Sequence, residues 1–142
     1  MNTTFKLAAT VVALAASVAT GNASAARPAS LGGTTWTVQT DRDSVQLVIT
    51  SQGGAGAPGA ANCRTINGDL GNVVNVRGWY CLSTGRIHFV HRNLDSGNAA
   101  RVFTGNVSDD VIGQPLYMAG TMPVLDAAHG DLGEYNFSAV KQ

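Results

Sequence analysis

Three observations predict an all-β protein, an eight-stranded antiparallel up-and-down β-barrel with one hairpin disulfide. Between Thr34 and Lys141 the chain carries eight short strand-like runs, each ended by Gly, Asn, Asp or Ser. No long helical period interrupts them. Closing such a sheet on itself removes the unpaired edges that consecutive strands would otherwise expose. A β-sandwich with Greek-key links is the alternative architecture.

The chain before these runs reads as a targeting segment and an arm. Lys6, the apolar stretch Leu7 to Thr20 and the small-x-small site Ala23-Ser24-Ala25 form a secretory signal peptide over residues 1–25. Its apolar stretch is too short to span a bilayer. An N-terminal arm then covers residues 26–33, including Pro28, and the barrel domain covers 34–142. The chain has nine basic and nine acidic side chains, so loss of Lys6 leaves a small acidic excess. That balance argues against nucleic acid as a partner, which needs a basic stripe, and no second apolar segment argues for a membrane. The cysteines, Cys63 and Cys81, are expected to pair in an oxidising compartment. The alanine-rich leader and the Arg-dominated basic set point to a bacterial periplasmic or secreted protein.

The runs follow in order. Thr34 to Gln39 is the first, turned by Asp41-Arg42-Asp43. Ser44 to Thr50 is the second, with Val45, Leu47 and Ile49 in phase at period two. Gln52 to Asn62 is rich in Gly, Ala and Pro without periodicity and reads as a flexible loop. Cys63 to Leu70 and Val74 to Leu82 form a hairpin folded back inside Gly71-Asn72-Val73. Pairing Cys63 with Cys81 sets Ile66 opposite Gly78 and Leu70 opposite Val74. Arg86 to Asn93 and Ala100 to Val107 are separated by a turn through Leu94 to Asn98. Leu116 to Leu125 and Gly133 to Lys141 complete the set.

Several of these pieces resemble a known family. The chain offers Thr34-Thr35-Trp36, Thr65-Ile66-Asn67-Gly68, Val76-Arg77-Gly78-Trp79-Tyr80, Val102-Phe103-Thr104-Gly105-Asn106 and Gly133-Glu134-Tyr135-Asn136-Phe137, in that order. This resembles the avidin/streptavidin family, with its early threonine-tryptophan, a strand-six motif close to Phe-Thr-Gly-Gln and a final Gly-x-x-x-Phe. The resemblance covers nearly the whole mature chain. It implies a barrel that forms dimers or tetramers and holds a small ligand, biotin or a biotin-like molecule, in its mouth, with no resident cofactor.

At the residues that would hold biotin the chain departs from the family. Val38 stands where the family has Asn, and Ser44 is the counterpart of a ligand-binding serine. Val90 or His91 replaces one tryptophan, and Pro123 another. Arg101 occupies a small-hydroxyl position, Phe103 matches an apolar contact, and Tyr135 replaces the residue that bonds the ureido ring. The tryptophan lent by a neighbouring subunit is absent from residues 126–132. A desolvated aromatic cage is what very tight binding requires, so the expected ligand is changed or held more weakly. The link that covers biotin in the family spans only a few residues here, leaving the mouth open. The candidate ligand-binding residues are Ser44, His91, Arg101, Phe103 and Tyr135.

An up-and-down barrel gathers alternate links at one rim, which here collects Asp41, Asp43, Asp69, Asp95, Asp126, Asp131 and Glu134 beside Arg42, Arg92 and Arg101. An acidic entrance would favour a cationic or hydroxyl-rich ligand or a basic protein face; equally, turns favour Asp for its local backbone bonds. His88 and His91 lie three apart on one strand, so they face opposite ways and cannot share a metal. His91 is in phase with Ile87 and Phe89, a phase that would let it line the interior. Trp36 and Trp79 are expected to plug the core. No nucleophile elbow, His-Glu-x-x-His, phosphate loop or Cys/His cluster is present, which argues against an enzyme. Asp41-Arg42-Asp43-Ser44 lacks the ligand spacing of a Ca²⁺ loop. The alternative to a ligand-binding barrel is a secreted protein-interaction module, such as a hydrolase inhibitor working through an exposed N-terminal arm.

Overall fold

The computed structural model describes residues 26–55, 62–92 and 99–142. The predicted signal peptide, most of the Gly/Ala/Pro loop, and Asp95 with its turn lie outside the described residues. The strands are β1 (Thr34–Thr40), β2 (Ser44–Ala55), β3 (Cys63–Leu70), β4 (Val73–Cys81), β5 (Arg86–Arg92), β6 (Ala100–Val107), β7 (Tyr117–Asp126) and β8 (Gly130–Lys141). Each pairs antiparallel with the next, and β8 pairs with β1, closing the barrel.

The alternation written into the sequence decides which side chains go inside. On β1, Trp36 and Val38 face inward; across the ladder they meet Leu47 and Val45. The same phase runs round the barrel through Ile66, Val76, Tyr80, Ile87, Phe89, Phe103, Met118, Met122, Phe137 and Ala139, all buried. At mid-height three phenyl rings make a plug: Phe89 stacks on Phe103 at 4.4 Å, and Phe137 meets Phe103 edge-on at 5.1 Å. Rings at these distances take the offset and T-shaped arrangements that aromatic quadrupoles favour.

Glycines let the sheet curl around this plug. A Cβ at Gly120 would collide with the Thr104 carbonyl oxygen, and one at Gly78 with that of His88. Both stand on the inward phase, opposite Phe137 and Phe89 respectively.

Cys63 and Cys81 are directly opposite and bonded, with Cα atoms 3.8 Å apart. Closing this short loop is worth about 3 kcal/mol by chain entropy. Ile66 faces Gly78 as the cysteine register requires, but Leu70 pairs with Val73 rather than Val74. A bulge after Gly68 takes up the extra residue. The turn is then Gly71-Asn72, with φ of 62° and 66°, the type I′ geometry that suits strand twist.

Two other expectations are corrected. Residues 52–55, expected in the loop, extend β2 beyond Ser51 and pair with β3 as far as Ala55↔Arg64, across an irregularity between Gly53 and Ala55. Gln52 helps to hold them there, its side chain accepting from Leu31 N (2.9 Å) and donating to Ala29 O (3.2 Å). Trp36 is a core plug, but Trp79 faces outward and stacks on His88 at 5.5 Å. Only one of the adjacent Trp79 and Tyr80 can point inside, and Tyr80, in phase with the buried Val76, takes that place, its hydroxyl donating to Pro28 O at 3.0 Å.

The N-terminal arm is docked rather than exposed. Leu31 and Pro28 are buried, Ala26 bridges to Asp110, and Arg27 donates to Val107 O at 2.6 Å while pairing with Asp109 at 3.0 Å. Thr34 Oγ1 accepts from Trp36 Nε1 and donates to Leu31 O. The arm thus seals one end of the barrel, its base, and leaves the other end as the mouth.

Candidate functional site

The mouth is the next inward layer above the phenyl plug. Two residues along each strand from Val38, Phe89, Met122 and Phe137 stand Thr40, His91, Val124 and Tyr135, and Arg101 lies two before Phe103. Above the plug lies a recess of about 340 Å³ lined by Thr40, Arg42, Asp43, Arg101, Met122, Val124, Leu132 and Tyr135. That is the lower end of the roughly 300–1,000 Å³ range of ligand pockets.

The five predicted site residues separate. Arg101 and Tyr135 line the recess together. His91 is inward, directly across the ladder from Arg101, and only 6 % exposed. Phe103 is inward too, but sits in the plug and is fully buried, so it underlies the recess instead of lining it. Ser44 pairs with Gln39 on the outward phase and is exposed; the one-residue step from Val45 puts it on the wrong side of the sheet for the interior.

Arg42 and Asp43 enter the site from the β1–β2 turn, where no periodicity could place their side chains. Asp43 Oδ1 accepts from Thr40 Oγ1 at 2.5 Å, and Oδ2 accepts from Arg101 Nη1 at 3.3 Å. The Arg42 guanidinium lies 4.7 Å over the Tyr135 ring, a cation–π contact. Thr40, Met122 and Val124 share the inward phase of the core strands, a signal present in the sequence; Leu132 lies in the first residues of β8, ahead of the Gly133 start expected from the sequence and beside the irregularity between Pro123 and Leu125, and carried none.

Electrostatically, the recess differs from its rim. Asp126 accepts from the N–H groups of Ala128 (2.8 Å) and His129 (3.0 Å) and pairs with His129 Nδ1. These contacts, the Ala128 amide foremost, hold its carboxyl below the ordinary range. Asp131 accepts from Gly133 N. Both acids therefore serve their own turns, as Asp commonly does. What faces the recess is two guanidinium groups and one carboxylate, an excess of positive charge where the sequence suggested an acidic entrance.

His91 is the anomaly of this layer. Neither ring nitrogen has a hydrogen-bond partner among the described residues. Burial, and then the neighbouring Arg101 charge, push its pKa below the usual histidine value, so the ring is held neutral. A buried polar group left unpaired costs about 1–3 kcal/mol, and such groups call for an explanation.

Among known proteins, no family model, characterised sequence or solved structure matches this chain. The class rests on its own architecture: a disulfide-pinned, closed eight-stranded barrel, sealed at the base and recessed at the mouth. The buried disulfide fits a protein of an oxidising compartment.

Proposed function

We propose that this is a secreted or periplasmic barrel of avidin type that binds a small ligand in its mouth. The observation that carries the proposal is the recess itself. Its apolar side is Met122, Val124 and Leu132, and its polar side is Thr40, Arg42, Asp43, Arg101 and Tyr135. An apolar pocket with a few convergent polar groups is the usual form of a small-molecule site. The order of the motifs through the chain supports the avidin-type assignment. The replacements at Val38, Pro123 and Tyr135 argue for a ligand other than biotin. The recess lies above the phenyl plug, so the ligand sits shallow and exchanges readily. Titration calorimetry with biotin, its analogues and a metabolite panel tests this: saturable heat lost in Arg101→Gln supports it, and no heat from any compound refutes it.

A second reading, a protein-interaction module such as a hydrolase inhibitor, is favoured by one other surface. The β6–β7 link presents Ile112, fully exposed, beside Val111. Gln114 N donates to Val111 O at 3.0 Å, Gly113 has φ of 81°, and the docked arm braces the link at Asp110. A rigid turn with an apolar tip can anchor in a partner's pocket. Inhibition of a secreted hydrolase by the protein, abolished in Ile112→Asp, would establish this reading; unchanged hydrolase activities across serine and metallo classes would remove it.

A further inference from the structure

The geometry points to a monocarboxylate as the ligand of the mouth, its head group bound by Arg101 and Arg42 in the place now taken by the Asp43 carboxylate. This rests on the small-ligand reading above and names its chemical class.

The recess holds its own imitation of such a ligand. Asp43 presents one oxygen to Arg101 at 3.3 Å while its other oxygen is fixed by Thr40. The Arg101 contact is long, single and solvent-accessible, with side-chain exposures of 36 % and 41 %. Ion pairs of that kind contribute little, so an incoming carboxylate can replace it. Asp43 meanwhile keeps its bond to Thr40, and the turn stays folded.

Charge selects the head group. Arg42 has no carboxylate partner among the described residues and rests on the Tyr135 ring. With two guanidiniums against one carboxylate, a single negative charge neutralises the recess. A cation would meet two like charges, and a dianion such as a phosphate monoester would leave one charge unmatched beside Asp43. Guanidinium forks match carboxylate oxygens geometrically as well as electrically.

Shape selects the body. Met122, Val124, Leu132 and the Tyr135 ring supply an apolar wall, and about 340 Å³ admits a small molecule only. His91 is an independent sign of an absent polar group. It is 6 % exposed, neither nitrogen has a partner among the described residues, and although it does not itself line the recess its ladder neighbour is the arginine that does.

The test is calorimetry on the mature protein with hexanoate, benzoate and biotin, each against its primary amide. Carboxylates are expected to bind at least tenfold more tightly than the amides. Asp43→Asn, which removes the internal competitor but can still bond Thr40, is expected to tighten carboxylate binding about tenfold. Arg101→Gln, and separately the exposed Arg42→Gln, are expected to weaken it by tenfold or more. If amides bind as well as acids, or Asp43→Asn weakens binding, the carboxylate assignment is overturned while the small-ligand reading stands. If neither acids, amides nor a wider neutral panel bind, both fall together.

Discussion

The two ends of the barrel are made from the same strands in the same phase, yet their polar groups are treated oppositely. At the base, Arg27 bonds Val107 O and Asp109, Tyr80 bonds Pro28 O, and Trp36 and Thr34 hand hydrogen bonds on to Leu31 O. At the mouth, His91 has no partner among the described residues, Arg42 rests on a ring, and Arg101 holds Asp43 by one long contact. A satisfied polar end rigidifies a fold, whereas an unsatisfied one stores interaction free energy that a ligand can release. The contrast makes the base the structural end and is the reason the proposed binding is assigned to the mouth.

The plug between the two ends should matter most. Phe103→Ala removes the ring that both Phe89 and Phe137 contact and is expected to destabilise the fold by about 3–5 kcal/mol. Urea unfolding reads this directly; a loss below about 1 kcal/mol would mean that the ends are not divided by a packed layer.

Tyr80→Phe breaks the base selectively. It leaves Pro28 O without its donor and is expected to cost about 1–2 kcal/mol, with ligand binding at the mouth unchanged. Burial pushes the Tyr80 phenol up to about 12, Arg27 opposing and Asp109 adding to the shift. The stability this represents is intact below pH 10 and is lost as pH rises towards 12, so the substitution should flatten alkaline unfolding. Equal loss of ligand affinity would show that base and mouth are coupled.

At the mouth the sign reverses. His91→Leu deletes an unpaired buried polar ring and is expected to stabilise the empty protein by about 1 kcal/mol while weakening ligand binding. The folded pKa of His91 is depressed, so its contribution is whole above pH 6.5 and is lost as pH falls through the folded value. Thermal unfolding from pH 7 to 5 should show a shallower decline in the variant. Some slope should persist, because burial also depresses His88.

Much of this contrast was legible in the residues. Val45, Leu47 and Ile49 declare their face, His91 keeps step with Ile87 and Phe89, and Cys63 and Cys81 set the hairpin register. The candidate site was legible only where it lies on the strands that the sequence delimits. His91 could be found by phase and Arg101 and Tyr135 by the family resemblance, while Arg42 and Asp43 come from a turn, where side-chain direction depends on how two strands meet, and Leu132 from the part of β8 that precedes Gly133. Ser44 entered through the resemblance alone: it stands one residue out of step with Val45, Leu47 and Ile49, so the alternation already put it on the outer face.

Period-two alternation and turn chemistry are local properties, so the residue order alone sufficed for eight strands, a disulfide hairpin and most of the core. Closure is not local. Joining β1 to β8 brought Thr40 beside Phe137, set the arm against Tyr80 and Val107, and turned Asp43 towards Arg101, 58 residues away. Those encounters made one end a seal and the other a charged recess, because each depends on bulges and strand twist accumulated around the whole circumference.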